Sequence, residues 1–244
     1  MNTVVRCLRA TLFPQYVFEA VPVEQVQAAL RDTFARWGQP QALRVDNGPP
    51  WGNRHHMPQA LTLWLVGLGI DVIHNRPYRP TDNSRVERSH GVLKRWVEPA
   101  QCSTFEDFTQ RLNRATTLQR EQYPSCSGAP RCQAYPALAH PARPYTRADE
   151  AEQWQFHRAC QYLAQHHWWR KVSQTGQISL YNRNYSVGRT YQGQMVSVHF
   201  EAQTQAWVIE DVQGQRIAQH RFHNFTPHAV QTLQLSHPKK RAPR

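Results

Sequence analysis

Strand-like and helix-like segments alternate over the first half of this 244-residue chain, and short β-like runs replace them in the second half. Up to residue 122, three strand–helix pairs follow one another, and this order is typical of an α/β fold with a mixed sheet and flanking helices. After residue 171, glycines interrupt apolar runs at the spacing of a small all-β barrel. We therefore predict an α/β domain over residues 1–122 and a barrel over residues 171–235.

Hydrophobic periodicity and helix-stop glycines place the elements of the α/β domain. One predicted helix, Val23–Trp37, ends at Gly38, and a second, Pro58–Leu68, ends at Gly69. The other predicted elements are strands over Thr3–Phe13, Gln41–Val45 and Ile70–Ile73 and helices over Arg85–Trp96 and Thr104–Gln122, the last with Ser103 as its N-cap.

Composition divides the rest of the chain. Prolines crowd residues 123–145, and with a short helix over Arg147–Gln165 they predict a linker over residues 123–170. The last nine residues, 236–244, form a basic tail. The predicted strands of the barrel are Gln177–Leu180, Tyr185–Val187, Met195–Phe200, Ala206–Glu210 and Arg216–His220.

A formal charge of +12 and a pI near 10.0 favour a polyanionic partner. Lysines and arginines that meet phosphates release condensed counterions, which makes nucleic acid the favoured partner. The alternative is a basic surface that serves only solubility.

Zinc, disulfides and a membrane span find no support in the sequence. The five cysteines form no Cys-x-x-Cys pair, and the histidine pairs His55–His56 and His166–His167 are adjacent rather than one helical turn apart. No stretch reaches the roughly 18 apolar residues that a membrane helix needs, and no signal peptide is evident. We expect a cytoplasmic protein without zinc or membrane contact.

Two acidic motifs carry the candidate chemistry. Asp46 stands at the carboxyl end of a predicted strand, where ligands gather in α/β folds, although Asp46-Asn47-Gly48 is also an ordinary turn sequence. Glu87 opens a predicted helix on which Glu87, His90 and Lys94 share one face. The alternative is a solvated helix with a favourable acid near its N-terminus.

The surroundings and spacing of these acids make the combination more specific than either motif. The cations that flank Glu87 are Arg76, Arg79, Arg85, Arg88, Lys94 and Arg95. Between Asp46 and Glu87 lie 40 residues, enough for a helix, a strand and a loop that return the helix start to the strand end.

The stretches Val45-Asp46-Asn47-Gly48, Arg76-Pro77-Tyr78-Arg79-Pro80 and 83–90 resemble the catalytic core of the DDE transposases and retroviral-type integrases, an RNase H-like fold. The Trp51-Gly52 pair and the helix end at Gly69 resemble a bacterial insertion-sequence branch, and Ser84 stands where the family more often has glycine. The resemblance covers Thr3 to Tyr123, and residues 176–188 resemble the small β-barrel that follows such cores.

The resemblance implies DNA integration by strand transfer, with Mg²⁺ or Mn²⁺ held by Asp46 and Glu87 as the second and third acids. It also implies DNA contacts, for which our candidates are Arg76, Arg79, Asn83, Arg85, Arg88, His90, Lys94 and Arg95. The first acid of the family precedes the strand at Thr3–Phe13, so we expect a truncated core that is inactive alone. A homo-oligomer or a full-length transposase is the expected protein partner, and a non-catalytic DNA-binding remnant is the alternative function.

Aromatic residues of the second half leave two interpretations open. They could stack on nucleic-acid bases, but a core position is the favoured interpretation. These residues are Trp168, Trp169, Tyr181, Tyr185, Tyr191 and Trp207.

Overall fold

The structure, a computed structural model, describes residues 22–45, 47–52, 57–76, 81, 84–124, 127–136 and 143–235, without the side chains of residues 84–86. The predicted strand Thr3–Phe13 and the basic tail 236–244 lie outside the described residues. The helices are α1 (Val23–Trp37), α2 (Ala60–Gly67), α3 (Ser84–Val97), α4 (Phe105–Glu121), α5 (Arg131–Ala134), α6 (Glu150–Gln153), α7 (Phe156–Ala164) and α8 (Pro227–Gln231). The strands are β1 (Ala42–Val45), β2 (Asp71–His74), β3 (His167–Lys171), β4 (Gln177–Leu180), β5 (Arg183–Ser186), β6 (Met195–Glu201), β7 (Ala206–Glu210) and β8 (Arg216–Arg221).

The chain divides into two compact units, neither of which is continuous in sequence. The first unit comprises Met1–Asn47 and Ile70–Ala151, and the second comprises Gly48–Gly69 and Glu152–Arg244. The first contains helices and a parallel strand pair, and the second is mostly antiparallel β structure. The predicted α/β class is therefore confirmed.

Helix α1 of the first unit has the bounds that its periodicity predicts. Gly38 follows it with a positive φ of 77°, a conformation that suits glycine, and its N–H donates to the carbonyl of Phe34 at 2.8 Å. Phe34 is fully buried, and its ring meets Tyr145 edge-on at 5.8 Å between centroids. The apolar face of α1 thus packs against a residue more than 100 positions away.

The strands β1 and β2 form a parallel pair in which Ala42 faces Asp71 and Val45 faces His74. Each strand begins one residue after its predicted start, which is within the usual uncertainty of element ends. Parallel pairing brings the carboxyl ends of both strands to the same edge.

Helices α3 and α4 pack against each other through a small apolar cluster. Leu93 and Val97 of α3 meet Leu112 and Ala115 of α4, and the Ser89 hydroxyl donates to Gln119 at 3.2 Å in the buried interface. The register of α3 is therefore fixed, and its other face is directed away from α4.

The N-cap of α4 is Thr104 rather than the predicted Ser103. The Thr104 hydroxyl accepts a hydrogen bond from the Asp107 N–H at 3.0 Å, and the Asp107 carboxylate accepts from the Ser103 N–H at 3.1 Å. This arrangement resembles a capping box, but the acid is aspartate and it accepts from the residue before the N-cap rather than from the N-cap itself. The local turn conformation thus makes Thr104 the cap and gives Ser103 the return bond.

The proline-rich region after α4 contains the short helix α5 and then residues that pack back onto the first unit. Glu150, which is 7% exposed, receives hydrogen bonds from Arg31 Nε at 2.7 Å, from Arg31 Nη2 at 2.6 Å and from the Tyr145 hydroxyl. The hydrogen bond to Glu150 raises the pKa of Arg31. Burial is the main cause that raises the pKa of Tyr145, and the hydrogen bond to the Glu150 carboxylate adds to it. A buried ionic cluster thus joins residues 119 positions apart.

In the second unit, α2 is buried on nearly every side. Leu61, Leu63, Trp64 and Leu65 are all completely buried. The Trp154 indole N–H donates to the Trp64 carbonyl at 3.0 Å. A helix that is apolar all round belongs inside a core.

The β structure of the second unit consists of a four-stranded antiparallel sheet, ordered β3-β6-β7-β8, and a separate hairpin, β4-β5. The strand β3 lies almost wholly in the predicted linker, which ends at residue 170. The predicted helix over Arg147–Gln165 ends before β3, and that segment contains α6 and α7. His220 of β8 approaches the Ser186 carbonyl of β5 at 2.6 Å, which joins the sheet to the hairpin.

The aromatic side chains between the sheet and the hairpin form one cluster. Trp207 is fully buried, lies edge-on to Trp168 at 5.9 Å and packs against Phe222 at 4.9 Å. Tyr181 stacks on Phe222 at 5.0 Å, and its hydroxyl donates to the Pro58 carbonyl at 2.7 Å. The core interpretation therefore holds for most of the aromatic residues singled out by the sequence.

Candidate functional site

The carboxyl ends of β1 and β2 are held together by two hydrogen bonds. The Asn75 N–H donates to the Val45 carbonyl at 3.0 Å, and the Asn47 side-chain amide donates to the Asn75 carbonyl at 2.8 Å. Asn47, the second residue of the predicted turn sequence, therefore lies at a strand edge of the kind where α/β folds place ligands. Asp46 lies outside the described residues, and its place at this edge stays a prediction.

The first unit presents charged side chains on the outer face of α3. Glu87, Arg88, His90, Lys94 and Arg95 are all exposed. The opposite face, with Ser89, Leu93 and Val97, is buried. Positions three and four residues apart are neighbours on a helix, so the five exposed residues form one continuous surface, which we call the α3 face.

The charged groups of the α3 face are not engaged with one another or with the rest of the described chain. Among the described residues, ion pairs join Arg31 to Glu150, Arg111 to Asp107, Arg120 to Glu121, His199 to Glu210 and Arg216 to Glu201. None of them involves Glu87, Arg88, Lys94 or Arg95. On the neighbouring helix, by contrast, Arg111 donates to Asp107 and lowers the pKa of that carboxyl. The cations of the α3 face therefore remain available to an external anion.

The other predicted site residues are only partly described. Arg76 is exposed just after β2, and Arg85 belongs to α3 although its side chain is not described. Arg79 and Asn83 lie outside the described residues. The structure thus gathers Glu87, Arg88 and His90 with Lys94 and Arg95, while the proximity of Asp46 to Glu87 stays a prediction.

Sequence reasoning missed one residue on the α3 face, Gly91. It is exposed at the middle of the helix, and a methyl group added there would meet no atom within 4 Å among the described residues. A glycine inside an otherwise regular helical pattern was the available signal.

Within the described part of the chain, no three His, Cys, Asp or Glu side chains lie close enough together to hold a metal ion. No helix among the described residues is long and apolar enough to cross a bilayer.

Among the described aromatic residues of the second unit, Trp169 is the one tryptophan, tyrosine or phenylalanine that is more than half exposed. It is 54% exposed on the edge strand β3, whereas Trp168, Tyr185 and Trp207 are buried. The alternation of side chains along β3 directs adjacent tryptophans to opposite faces.

The likenesses to known proteins include one to a mouse protein and one to a viral complex, and both are partial. No protein-family profile matches the chain. Over 80 residues the chain is 29% identical to a protein of Mus musculus named IgE-binding protein. The matched segment covers 33% of this chain and 14% of that protein. Among solved structures, the chain is similar to a chain of a viral complex, with 17% identity and a TM-score of 0.41. That complex is the simian T-cell lymphotropic virus intasome with PP2A regulatory subunit B56 gamma, determined by cryo-EM.

The structural likeness covers 84% of this chain and 66% of that one, so this chain spans less than two thirds of either relative's length. None of these likenesses bears on the bacterial insertion-sequence branch, which stays a prediction.

Proposed function

We propose that this chain binds duplex DNA through the α3 face and belongs to the DDE class of DNA strand-transfer proteins, with Asp46 and Glu87 as acids of its metal site. The observation that carries the proposal is one exposed acid, Glu87, set among exposed cations on a helix whose other face is locked against α4. A helix that only covers a core does not need uncommitted charges of this density.

Binding to DNA follows from the charges of the α3 face. Arg88, Lys94 and Arg95 extend over more than one helical turn, and none of them pairs with an acid among the described residues. Each cation that reaches a phosphate releases counterions, which makes the affinity depend steeply on salt. Arg76, Arg79, Asn83, Arg85 and His90 are the further proposed DNA contacts.

Glu87 has the chemistry that a hard divalent cation requires. Mg²⁺ and Mn²⁺ prefer carboxylate oxygens, and the Glu87 carboxylate is exposed and free of ion pairs among the described residues. Asp46 is the second proposed ligand. When bound, the ion would supply Lewis-acid activation of the attacking oxygen and stabilisation of the leaving oxygen.

The side chains around Glu87 would position the DNA for that chemistry. Arg88 is the adjacent cation and Lys94 follows Glu87 by two turns, so both are suited to hold phosphates on either side of the scissile bond. A second copy of the chain or a full-length transposase is the proposed protein partner.

The binding part of this proposal is tested by removing two cations from the α3 face. We expect the full chain with Lys94→Ala and Arg95→Ala to bind a duplex roughly 10-fold or more weakly near physiological salt. The slope of log K against log[salt] should become shallower by about 1.8, because each lost phosphate contact removes about 0.9. Fluorescence anisotropy at several salt concentrations measures both quantities.

The matched control removes the same charge elsewhere. Arg114 on α4 and Arg147 are exposed, and neither is in an ion pair among the described residues. If Arg114→Ala with Arg147→Ala lowers the affinity and slope as much as the α3 variant does, binding is driven by net charge alone. If the unaltered chain binds no duplex at moderate salt, the proposed function is wrong.

The catalytic part is tested by Glu87→Gln, which keeps the shape of the side chain and removes its charge. The chain alone is expected to be inactive or nearly so, and any residual nicking or joining of DNA with Mn²⁺ or Mg²⁺ should be lost in this variant. The Kd for DNA should stay within about twofold, because the loss concerns the metal site rather than phosphate binding. DNA binding without even residual cleavage by the unaltered chain would favour the non-catalytic, DNA-binding alternative.

A further inference from the structure

Gly91 lies at the centre of the α3 face, and nothing within the described chain explains a glycine there. It is in the middle of a 14-residue helix, where glycine costs about 1 kcal/mol relative to alanine because of its larger backbone entropy in the unfolded state. No tight packing among the described residues requires it, since a Cβ at this position would meet none of their atoms within 4 Å. No turn requires it either, because the helix continues for six more residues.

The residues around Gly91 are the charged groups of the proposed DNA site. Its helical neighbours are Glu87 and Arg88 in the preceding turn and Lys94 and Arg95 in the following turn. Side chains at these offsets lie about 5–6 Å apart at their Cβ atoms. Three cations and one acid therefore frame a patch where the helix backbone is bare.

We propose that Gly91 is the contact point at which the sugar–phosphate backbone of DNA lies directly against α3. This inference rests on the proposed function and adds to it the site and depth of docking. A glycine permits the closest approach of a ligand to protein backbone, because no Cβ keeps the two apart. The shorter separation lets Arg88, Lys94 and Arg95 reach phosphates on both sides of the contact, with Glu87 directed at the same stretch of strand.

A bare patch framed by cations fits a phosphodiester backbone better than a protein surface. A protein partner would gain from an apolar side chain at the centre of its contact, where binding energy concentrates. At the centre of the α3 face, by contrast, the chain has the smallest residue and the perimeter is charged. Polyanion backbones are contacted in this way, by charge at the rim and by close approach at the centre.

The experiment replaces Gly91 with alanine and with leucine in the full chain and measures stability and DNA binding together. Alanine should raise the Tm by about 2–4 °C, because it favours the helix and meets no neighbour. The same substitution should weaken duplex binding roughly fivefold, and leucine roughly 30-fold or more, because the added atoms overfill the contact. For alanine the slope of log K against log[salt] should stay near that of the unaltered chain, because one methyl group leaves the long cationic side chains within reach of their phosphates; for leucine it should become shallower.

The control is Asn113→Leu, which places the same exposed leucine on α4 outside the α3 face. It should leave the affinity unchanged. The inference is overturned if both Gly91 variants bind DNA as the unaltered chain does while Lys94→Ala with Arg95→Ala binds weakly; in that case the proposed function survives. Absence of DNA binding by the unaltered chain overturns both.

Discussion

Replacing Gly67 with alanine is expected to destabilise the second unit by about 3–5 kcal/mol. A Cβ at Gly67 would lie 2.1 Å from Nε1 and 2.3 Å from Cε2 of Trp154. The Trp154 ring is 6% exposed and donates to the Trp64 carbonyl, so it has no free direction in which to move. The variant must therefore displace a buried ring and leave its N–H without an acceptor.

Hydrogen–deuterium exchange with mass spectrometry locates this effect. Peptides from α2 and from residues 152–164 should lose protection in Gly67→Ala, and the urea midpoint of the unfolding transition for this unit should fall. Gly91→Ala is the matched control, because it makes the same chemical change in a helix at an open position and should stabilise the protein. Equal stability of the unaltered chain and Gly67→Ala would show that α2 and Trp154 do not pack as described.

Replacing Glu150 with alanine should cost the first unit about 2–4 kcal/mol, because it leaves a partly buried guanidinium without its carboxylate. The Arg31 side chain is 17% exposed and gives two of its donors to the Glu150 carboxylate. The Tyr145 hydroxyl loses its acceptor at the same time. Chemical unfolding, with exchange in peptides of α1 and of residues 143–151, measures the loss.

A double variant distinguishes the contribution of the ion pair to stability from the cost of leaving one charge without its counter-ion. Arg31→Met with Glu150→Leu removes both ions and fills similar volume, so we expect it to recover most of the stability lost in Glu150→Ala. Glu106→Ala, which removes an exposed acid of α4, should change the stability by less than about 0.5 kcal/mol. If the double variant is as unstable as the single one, the side-chain geometry of the cluster, rather than charge burial, controls stability.

Much of the fold follows from local sequence signals. The predicted bounds of α1, β4 and β7 agree with the structure, because apolar periodicity and the glycines that end elements act over a few residues. The exposure of Glu87, His90 and Lys94 on one face was also predictable, since helical spacing alone sets it.

Elements with ambiguous local signals were decided by long-range pairing. The predicted linker ends at residue 170, yet His167–Lys171 forms β3 because it pairs with β6, with Trp168 opposite Val198. The hydroxyls of Ser103 and Thr104 look equivalent in sequence, and only the turn geometry selects the cap. The identity of β3 depends on a partner that no short window contains, whereas the cap depends on the local turn conformation, which residue type alone does not specify.

The sequence by itself determined where most helices and strands form, the basic character of the chain and the charged surface of α3, because all of these depend on residue type and short spacing. Only the tertiary structure decided that Glu150 holds Arg31, that Gly67 admits Trp154, and which of two adjacent tryptophans is buried. The first two of these contacts join segments about 90 to 120 positions apart, and the buried Trp168 meets Trp207 of another strand. They form because folding pairs the Arg31 charge with a carboxylate, buries the Trp154 ring and gives the Trp64 carbonyl a donor. Composition and periodicity do not specify which distant residue provides each of these contacts.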